Sequence, residues 1–298
     1  MRTLQPPIAT AGFDQKPPRR RRFWPLGVGL AVLIALFAAF ATQQGGEDSG
    51  GGPLNAIAEA AVKTQGAGGG RAAVHGVITE SGLTKPLVVT GQMVYDGGGS
   101  ARGTLSTTDP KSGEPVNFDY VQEGTQMYMR SSRLGALPEG HKWMGLDLSL
   151  GDEVDTSVPT GGNVRGELDL LSKATGGVEK VGKEEVRGVA TTHYRGTISV
   201  ADSVRRLREE GADTVATYAE EKGSPIHLEA WIDGKQMVRR MRIVQSSPGE
   251  DGKGSTAIDM RTDFYDFGLE PEIEAPDSSE VFDATSLAQE QIEDSGDE

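Results

Sequence analysis

The chain has 298 residues, of which 44 are acidic, 30 are basic and 41 are glycine, and it contains no cysteine. This length corresponds to one or two folded domains. The lack of cysteine excludes disulfides, thiolate metal sites, a cysteine nucleophile and a lipid-modified cysteine. The formal net charge of −14 argues against nucleic-acid binding, because the neutralisation of phosphates requires clustered Lys and Arg.

The N-terminal region has the pattern of a membrane anchor. Residues 1–22 form a short tail that ends in four arginines, Arg19–Arg22, and Phe23–Ala41 is a run of 19 residues without a charge. As a helix this run would measure about 28 Å, close to the ~30 Å hydrocarbon core of a bilayer. Under the positive-inside rule, we expect a cytoplasmic tail at residues 1–22, a single-pass transmembrane signal anchor of the cell membrane at residues 23–42, and an extracytoplasmic C-terminal domain.

A cleaved signal peptide is the alternative interpretation of this segment. Ala39–Ala41 (AFA) fits the A-x-A pattern of a cleavage site. Arg20–Phe23 also resembles a twin-arginine export motif, although no Ser or Thr precedes it. The apolar run is longer than the ~7–15 residues of a signal-peptide core, which favours an uncleaved anchor. Both interpretations place most of the chain outside the cytoplasmic membrane.

The remainder of the chain is strongly acidic. Residues 1–42 carry six basic side chains and one acidic side chain, so the rest has 24 basic and 43 acidic side chains, a net charge of −19. Residues 43–53 (QQGGEDSGGGP) have the composition of a flexible Gly-rich linker. Residues 284–298 have that of an acidic disordered tail. The sequence therefore predicts one folded extracytoplasmic domain at residues 54–283.

This domain begins with a short helix and continues with strands. Pro53 occupies the favoured N-terminal position of a helix, and apolar residues recur after it at helical spacing, namely Leu54, Ile57, Ala58, Ala61 and Val62. From Arg71 the period becomes two, as in a strand. Alternating apolar residues predict strands at residues 87–95, 116–120 and 126–130. The short turns between them indicate an antiparallel meander.

The second half of the domain follows a predicted loop at residues 151–166 and a short helix at residues 168–174. Residues 179–187 and 191–200 predict a hairpin, and residues 202–210 and 214–222 predict a helical insertion. The closing strands are predicted at residues 225–233, 237–244 and 256–264.

Several local strings resemble one protein family. They are LNAIAEAAVKTQGAGG, LDLLSKATGGVEKVGKEEVRGVATTHYRGTISV, and PIHLEAWIDGKQMVRRMRI followed by DFYDFGLEPEIEAP. Over residues 54–283 the chain resembles the LolA-like lipoproteins of actinobacteria, of the LppX/LprG type. The resemblance implies an α+β fold in which helices cross the concave face of a curved antiparallel half-barrel sheet, and lipid tails bind between them in members that carry lipid. The family's lipidated cysteine is absent here, so attachment would fall to the transmembrane helix.

Candidate ligand-binding residues are the apolar side chains that share the inward faces of these elements. Unbranched Met suits acyl chains of varied shape because it repacks easily, although the same residues would also fill an ordinary core. The predicted cavity lining consists of Leu87, Val89, Met93, Phe118, Tyr120, Met127, Met129, Val204, Leu207, Leu228, Met241, Met260 and Phe264. Three arginines are candidates for binding a lipid head group, or form a solvated helix face, namely Arg205, Arg206 and Arg208.

The distribution of chemistry-bearing residues argues against an enzyme. The four histidines, which lack metal-ligand spacing, are His75, His141, His193 and His227. There is no G-x-S-x-G nucleophile elbow, and GEDGKGS at residues 249–255 lacks the Gly-Lys-Ser/Thr of a phosphate loop. His193 and His227 alternate with inward apolar residues, so both are expected to face solvent. We expect no cofactor, no metal site and no nucleic-acid partner.

The sequence therefore predicts a membrane-anchored, extracytoplasmic protein of the cell envelope that binds a lipid or other apolar ligand and presents or transfers it near the outer leaflet. The alternative is an envelope sensor or interaction domain that contacts another envelope protein without a lipid ligand, because a fold does not dictate function. A void between sheet and helices would favour the first hypothesis, and an exposed apolar patch would favour the second.

Overall fold

The computed structural model describes residues 53–81, 83–109, 112–134, 136–147, 176–209, 220, 224–248 and 254–286. Helix α1 (Pro53–Gln65) precedes the first strand, and helix α2 (Val200–Glu209) follows the eighth. The strands, in chain order, are β1 (Gly69–Glu80), β2 (Leu87–Tyr95), β3 (Ala101–Thr108), β4 (Pro115–Glu123), β5 (Gln126–Arg130), β6 (Trp143–Asp147), β7 (Gly176–Val186), β8 (Val189–Ile198), β9 (Ile226–Asp233), β10 (Val238–Pro248), β11 (Ser255–Leu269) and β12 (Val281–Asp283).

All of these strands belong to one 12-stranded sheet in the order β12-β6-β5-β4-β3-β2-β1-β11-β10-β9-β8-β7. The pairings are antiparallel, apart from the parallel pair of β12 with β6. Among the described residues β7 and β12 do not pair with each other, so the sheet is open. Strands β1 and β11, which are far apart in the chain, join its two halves.

Alternation of side chains separates the sheet into two unlike faces. On β4, Val116, Phe118 and Tyr120 are buried, whereas Asn117 between them is exposed. The face that carries the buried apolar cluster is called the apolar face here, and its members include Val74, Leu87, Phe118, Met127, Ile243 and Met260. The opposite face is called the polar face, and its members include His75, Glu229, Arg242 and Asp259.

Two glycines on the apolar face allow large neighbouring side chains to pack across it. Gly76 lies opposite Met260, and a Cβ atom at Gly76 would lie 1.9 Å from the Met260 sulfur. Gly103 lies opposite Met93, and its Cβ would lie 2.7 Å from the Cα of Met93. A side chain at Gly103 would meet the backbone of β2, whereas one at Gly76 would displace the Met260 side chain.

The β7–β8 hairpin reaches over the polar face. Its turn residues Arg187 and Gly188 both have positive φ, 49° and 80°, as a type I′ turn requires. Register shifts in β7, one of them between Lys180 and Gly182, bend the strand. The Arg187 guanidinium carbon lies 3.9 Å from the ring centroid of Tyr265 on β11. Because β11 is four strands from β7 in the sheet, the hairpin must fold back over the strands between them.

The structure confirms the coarser part of the fold prediction, an open and mainly antiparallel sheet with few helices. The opening helix, the hairpin, the helix near residue 202 and the three closing strands are present. Strands β3, β6 and β12 were not predicted. The folded region also continues past residue 283, because the Ala284 N–H donates to the Gly145 carbonyl at 2.9 Å and the Thr285 hydroxyl accepts from the Asp147 N–H at 3.0 Å.

Other predictions fall on residues outside those described. They are the membrane span at residues 23–42, the cytoplasmic tail, the linker up to residue 52, the loop at 151–166, the helix at 168–174, most of 214–222 and the tail after residue 286. Among the helices of the described ranges, none has the length and apolar character needed to cross a membrane.

Candidate functional site

The candidate site is the apolar face, where the structure brings the predicted lining residues together. All those with a described side chain are at most 7% exposed: Leu87, Val89, Met93, Phe118, Tyr120, Met127, Met129, Val204, Leu228, Met241, Met260 and Phe264. All of them except Val204, which is buried on α2, belong to one continuous cluster. The side chain of Leu207 lies outside the described residues. The lining of a cavity by these residues stays a prediction.

Methionine is concentrated on this face. Of the eight methionines in the chain, six belong to the buried cluster: Met93, Met127, Met129, Met144, Met241 and Met260. They come from five strands on both halves of the sheet. Sequence reasoning missed Met144, because its strand β6 has only five residues and shows little alternation. Methionine side chains are flexible and polarisable, so a surface rich in them repacks easily.

Helix α1 covers the apolar face near strands β7, β9 and β10. Its buried stripe contains Ile57, Ala60 and Ala61, at the spacing that one helix face requires. The Thr64 hydroxyl accepts a hydrogen bond from the Val238 N–H at 2.9 Å and donates to the Ala60 carbonyl at 2.6 Å. The small alanines let the helix approach the sheet closely, and the threonine fixes its end to β10.

Polar side chains on the apolar face fall into two groups. The Tyr120 hydroxyl donates to the Gln122 side-chain oxygen, and the Gln122 amide nitrogen donates to the Gly124 carbonyl at 3.1 Å. By contrast, the Tyr95 hydroxyl and the Gln245 side-chain oxygen are buried without a hydrogen-bond partner in the described part of the chain. Burial raises the pKa of Tyr95, although the nearby Arg239 charge acts in the opposite direction. Tyr95 therefore remains a neutral phenol.

The polar face carries a network of close polar contacts centred on His193. Its Nδ1 lies 3.0 Å from Glu184 Oε1 and its Nε2 lies 2.6 Å from Glu229 Oε2, while its ring stacks on Trp231 at 4.1 Å between centroids. His193 is 4% exposed, so the expectation that it faces solvent is wrong. It is buried because Glu184, on the bent β7–β8 hairpin, and Trp231 cover it. The expectation is correct for His227, which is exposed.

Ion pairs extend this network to the neighbouring strands. The Arg242 guanidinium donates to both carboxylate oxygens of Asp259, at 2.8 and 2.7 Å, and to Glu229 at 3.0 Å. These contacts lower the pKa of Asp259, with the Arg242 hydrogen bond as the main cause. The Trp231 N–H, which donates to Glu184 at 2.8 Å, is the main cause of the lowered pKa of that carboxyl.

A cleft of about 420 Å³ lies over this network, between His75 on β1 and His193 on β8. Its wall contains guanidinium groups and carboxylates that neutralise one another, including Arg242 with Asp259. Because its wall is charged, the cleft is a poor match for an apolar ligand. Within the described ranges, no group of three His, Asp or Glu residues is placed to hold a metal ion.

The predicted head-group arginines lie on α2. Arg205 and Arg208 are exposed, and the Arg208 guanidinium pairs with Glu220 at 2.6 Å with both side chains about half exposed. An ion pair in this setting contributes little to stability. The side chain of Arg206 lies outside the described residues. The head-group role of all three arginines stays a prediction.

No known protein-family profile matches the chain. Over 137 residues it is 31% identical to an uncharacterised 31.2 kDa protein from the rplA–rplJ intergenic region of Streptomyces griseus, and the match spans 44% of this chain but only 41% of that relative. Among solved structures, the chain is similar to the lipoprotein LppX of Mycobacterium tuberculosis, with 19% identity, a TM-score of 0.42, and coverage of 74% of this chain and 98% of LppX. It is also similar to LprF of Mycobacterium bovis, with 16% identity and a TM-score of 0.38. This match covers 75% of this chain and 96% of LprF.

Proposed function

We propose that the chain is a cell-envelope protein of LolA-like fold whose folded domain binds a lipid or another apolar ligand on the apolar face. One observation carries the proposal: the described candidate residues of both halves of the sheet form a single apolar cluster that contains six methionines. A methionine-rich apolar surface of this extent suits ligands that are long and variable in shape. No catalytic role is part of the proposal.

The location of the protein follows from the N-terminal sequence. Arg19–Arg22 would remain in the cytoplasm, residues 23–42 would span the membrane, and the acidic domain would stand outside it. A linker of about ten residues reaches only ~17–20 Å. A domain tethered in this way would present its ligand, or transfer it to another molecule, close to the outer leaflet.

The alternative function, a sensor or interaction domain, would be favoured by an exposed apolar patch. In the part of the chain that the structure describes, the exposed large hydrophobic residues are Val62 on α1 and Val181 on β7. They lie on different elements. The polar face presents ion pairs that are already satisfied within the domain, such as Arg242 with Asp259. The ligand-binding proposal is therefore preferred.

Photolabelling of the full chain tests this proposal. The protein would be reconstituted in phosphatidylcholine vesicles that contain a diazirine-bearing fatty-acid methyl ester, irradiated, digested and analysed by mass spectrometry. We expect label on peptides that contain β2, β5 and β9–β10, in addition to residues 23–42, which serve as an internal reference. Met127→Trp should reduce the label on the domain several-fold, because the indole fills the ligand space, and should leave the label on residues 23–42 unchanged.

A matched variant separates ligand space from solid core. Met237 is also buried but lies outside the apolar cluster, so Met237→Trp should leave the label on the domain unchanged. A tryptophan forced into a filled core costs about 1–3 kcal/mol, whereas one placed in ligand space costs less. Loss of stability in Met127→Trp, together with a domain that is unlabelled in the wild type, would contradict the proposal and favour the interaction domain.

A further inference from the structure

Two polar atoms on the apolar face have no hydrogen-bond partner among the described residues, Tyr95 Oη and Gln245 Oε1. Tyr95 is 4% exposed and Gln245 is 7% exposed, so bulk water does not satisfy either of them. Polar atoms buried in this way destabilise a fold, and each one in a native protein requires an explanation. A bound molecule that supplies the missing hydrogen bonds is one explanation with a testable consequence.

The two atoms lie toward opposite ends of the apolar face. Tyr95 pairs with Gly70 of β1, whereas Gln245 pairs with Ile258, which in turn pairs with Ile78 of β1. Gly70 and Ile78 are eight residues apart on one strand, a distance of about 26 Å at ~3.3 Å per residue. The apolar cluster occupies the space between these two positions. The face is thus a long apolar surface with an unsatisfied polar group near each end.

Another tyrosine of the apolar face, Tyr120, shows that a missing hydrogen-bond partner is not common to all buried polar groups there. The Tyr120 hydroxyl, on the same face, has the Gln122 side chain as its partner. Gln245 is flanked across the sheet by Ile226 and Ile258, neither of which offers a side-chain hydrogen bond. The contrast sets Tyr95 and Gln245 apart as buried polar groups without a hydrogen-bond partner among the described residues.

We infer that the ligand of the apolar face is an uncharged amphipathic lipid, whose hydroxyl or amide N–H donates a hydrogen bond to Gln245 Oε1, while Tyr95 Oη binds a polar group at the other end of the face. An acylglycerol or an acyl amide has this chemistry. A carboxylate or phosphodiester without a donor would place oxygen against the Gln245 oxygen and is disfavoured. This inference rests on the proposed function, because it names the class of ligand for the same site.

Competition between two probes tests the inference on the full chain in vesicles. Monoolein and methyl oleate carry the same acyl chain, but only monoolein has hydroxyl donors. Each would compete with the diazirine-bearing fatty-acid methyl ester for labelling of the domain. We expect wild type to bind monoolein about fivefold more tightly than methyl oleate, the equivalent of one hydrogen bond. Gln245→Met should abolish this preference while leaving competition by methyl oleate unchanged.

Urea unfolding of the same full-length variants, held in amphipol, supplies the second measurement. Gln245→Met and Tyr95→Phe remove polar atoms that have no internal partner, so their unfolding midpoints should be no lower than that of wild type. The matched control is Tyr120→Phe, which deletes a hydroxyl that has a partner. It should unfold at a lower urea concentration than wild type.

The possible outcomes distinguish the inference from the function on which it rests. If neither probe competes in wild type, the proposed function is wrong and the inference falls with it. If both probes compete equally and Gln245→Met changes nothing, the inference is wrong while the proposed function stands. A loss of stability in Tyr95→Phe as large as that in Tyr120→Phe would show an internal partner for Tyr95 and overturn its assignment.

Discussion

At the scale of single residues, Asp233 shows how one carboxylate fixes the junction of two strands. It ends β9, and its side chain, only 4% exposed, accepts hydrogen bonds from the N–H groups of Lys235 and Met237 and from the Arg239 guanidinium. Burial alone would raise the pKa of Asp233, but the Met237 N–H, the Arg239 guanidinium and the Lys235 N–H together lower it. The ionised form is therefore the one that stabilises this turn.

We predict that Asp233→Asn destabilises the domain by about 1.5–3 kcal/mol at pH 7, the range for hydrogen bonds to charged groups. A carboxyl whose folded-state pKa is below its unfolded value, near 3.9, stabilises the fold above that value and loses its contribution as the pH falls through the folded-state pKa. The difference in the free energy of unfolding between variant and wild type should thus be fully present at pH 7 and become smaller below about pH 4.

Urea unfolding at several pH values measures this difference. Glu185→Gln, which changes an exposed carboxylate on β7, is the control and should have little effect at any pH. A difference between Asp233→Asn and wild type that is the same at pH 3 and pH 7 would contradict the role of the ionised carboxylate.

At the scale of elements, the β7–β8 hairpin determines the shape of the polar face. Its turn places Glu184 against Trp231 and His193, and Arg187 over Tyr265. These contacts depend on the left-handed backbone of Arg187 and Gly188. Glycine adopts this conformation without strain, whereas other residues pay about 1–2 kcal/mol.

We therefore predict that Gly188→Ala destabilises the domain by about 1 kcal/mol or slightly more and speeds hydrogen exchange of the β7 amides. The cause would be the backbone alone, because a Cβ at Gly188 would contact nothing within 4 Å. Gly182 is a matched control on the same strand: its Cβ would also meet nothing within 4 Å, and its φ is not positive. Equal losses of stability in Gly188→Ala and Gly182→Ala would contradict the prediction.

The sequence was most informative about strand faces, because alternation is a local property. Met127, Met129 and Leu228 were assigned to the buried face and lie there. Strand β3 was missed because ARGTLSTT contributes few large apolar residues.

The burial of His193 was mispredicted for a different reason. It depends on Glu184 and Trp231, side chains from two other strands brought together by the bent hairpin. Alternation gives no information about such long-range contacts. The same holds for the unsatisfied Tyr95 and Gln245, whose missing partners become visible only when every neighbour has been placed.

At the scale of the whole molecule, the open sheet separates two kinds of chemistry. The polar face satisfies its own charges, with Arg240 paired to Asp263 and Arg242 to Asp259. The apolar face joins both halves of the chain through β1 and β11 and carries six methionines and two unsatisfied polar groups. This contrast supports the proposal that an external ligand would bind on the apolar face.

Native mass spectrometry of the full chain, with its micelle removed in the gas phase, tests this claim most directly. We predict one discrete adduct with the mass of an acyl lipid on the wild type. Met127→Trp keeps residues 23–42, so any lipid bound to the anchor would be the same in both proteins. The variant should lack the adduct that is due to the domain, while it unfolds at nearly the wild-type urea concentration. A wild type without an adduct, or equal adducts on both proteins together with a clear loss of stability in Met127→Trp, would contradict ligand binding on the apolar face.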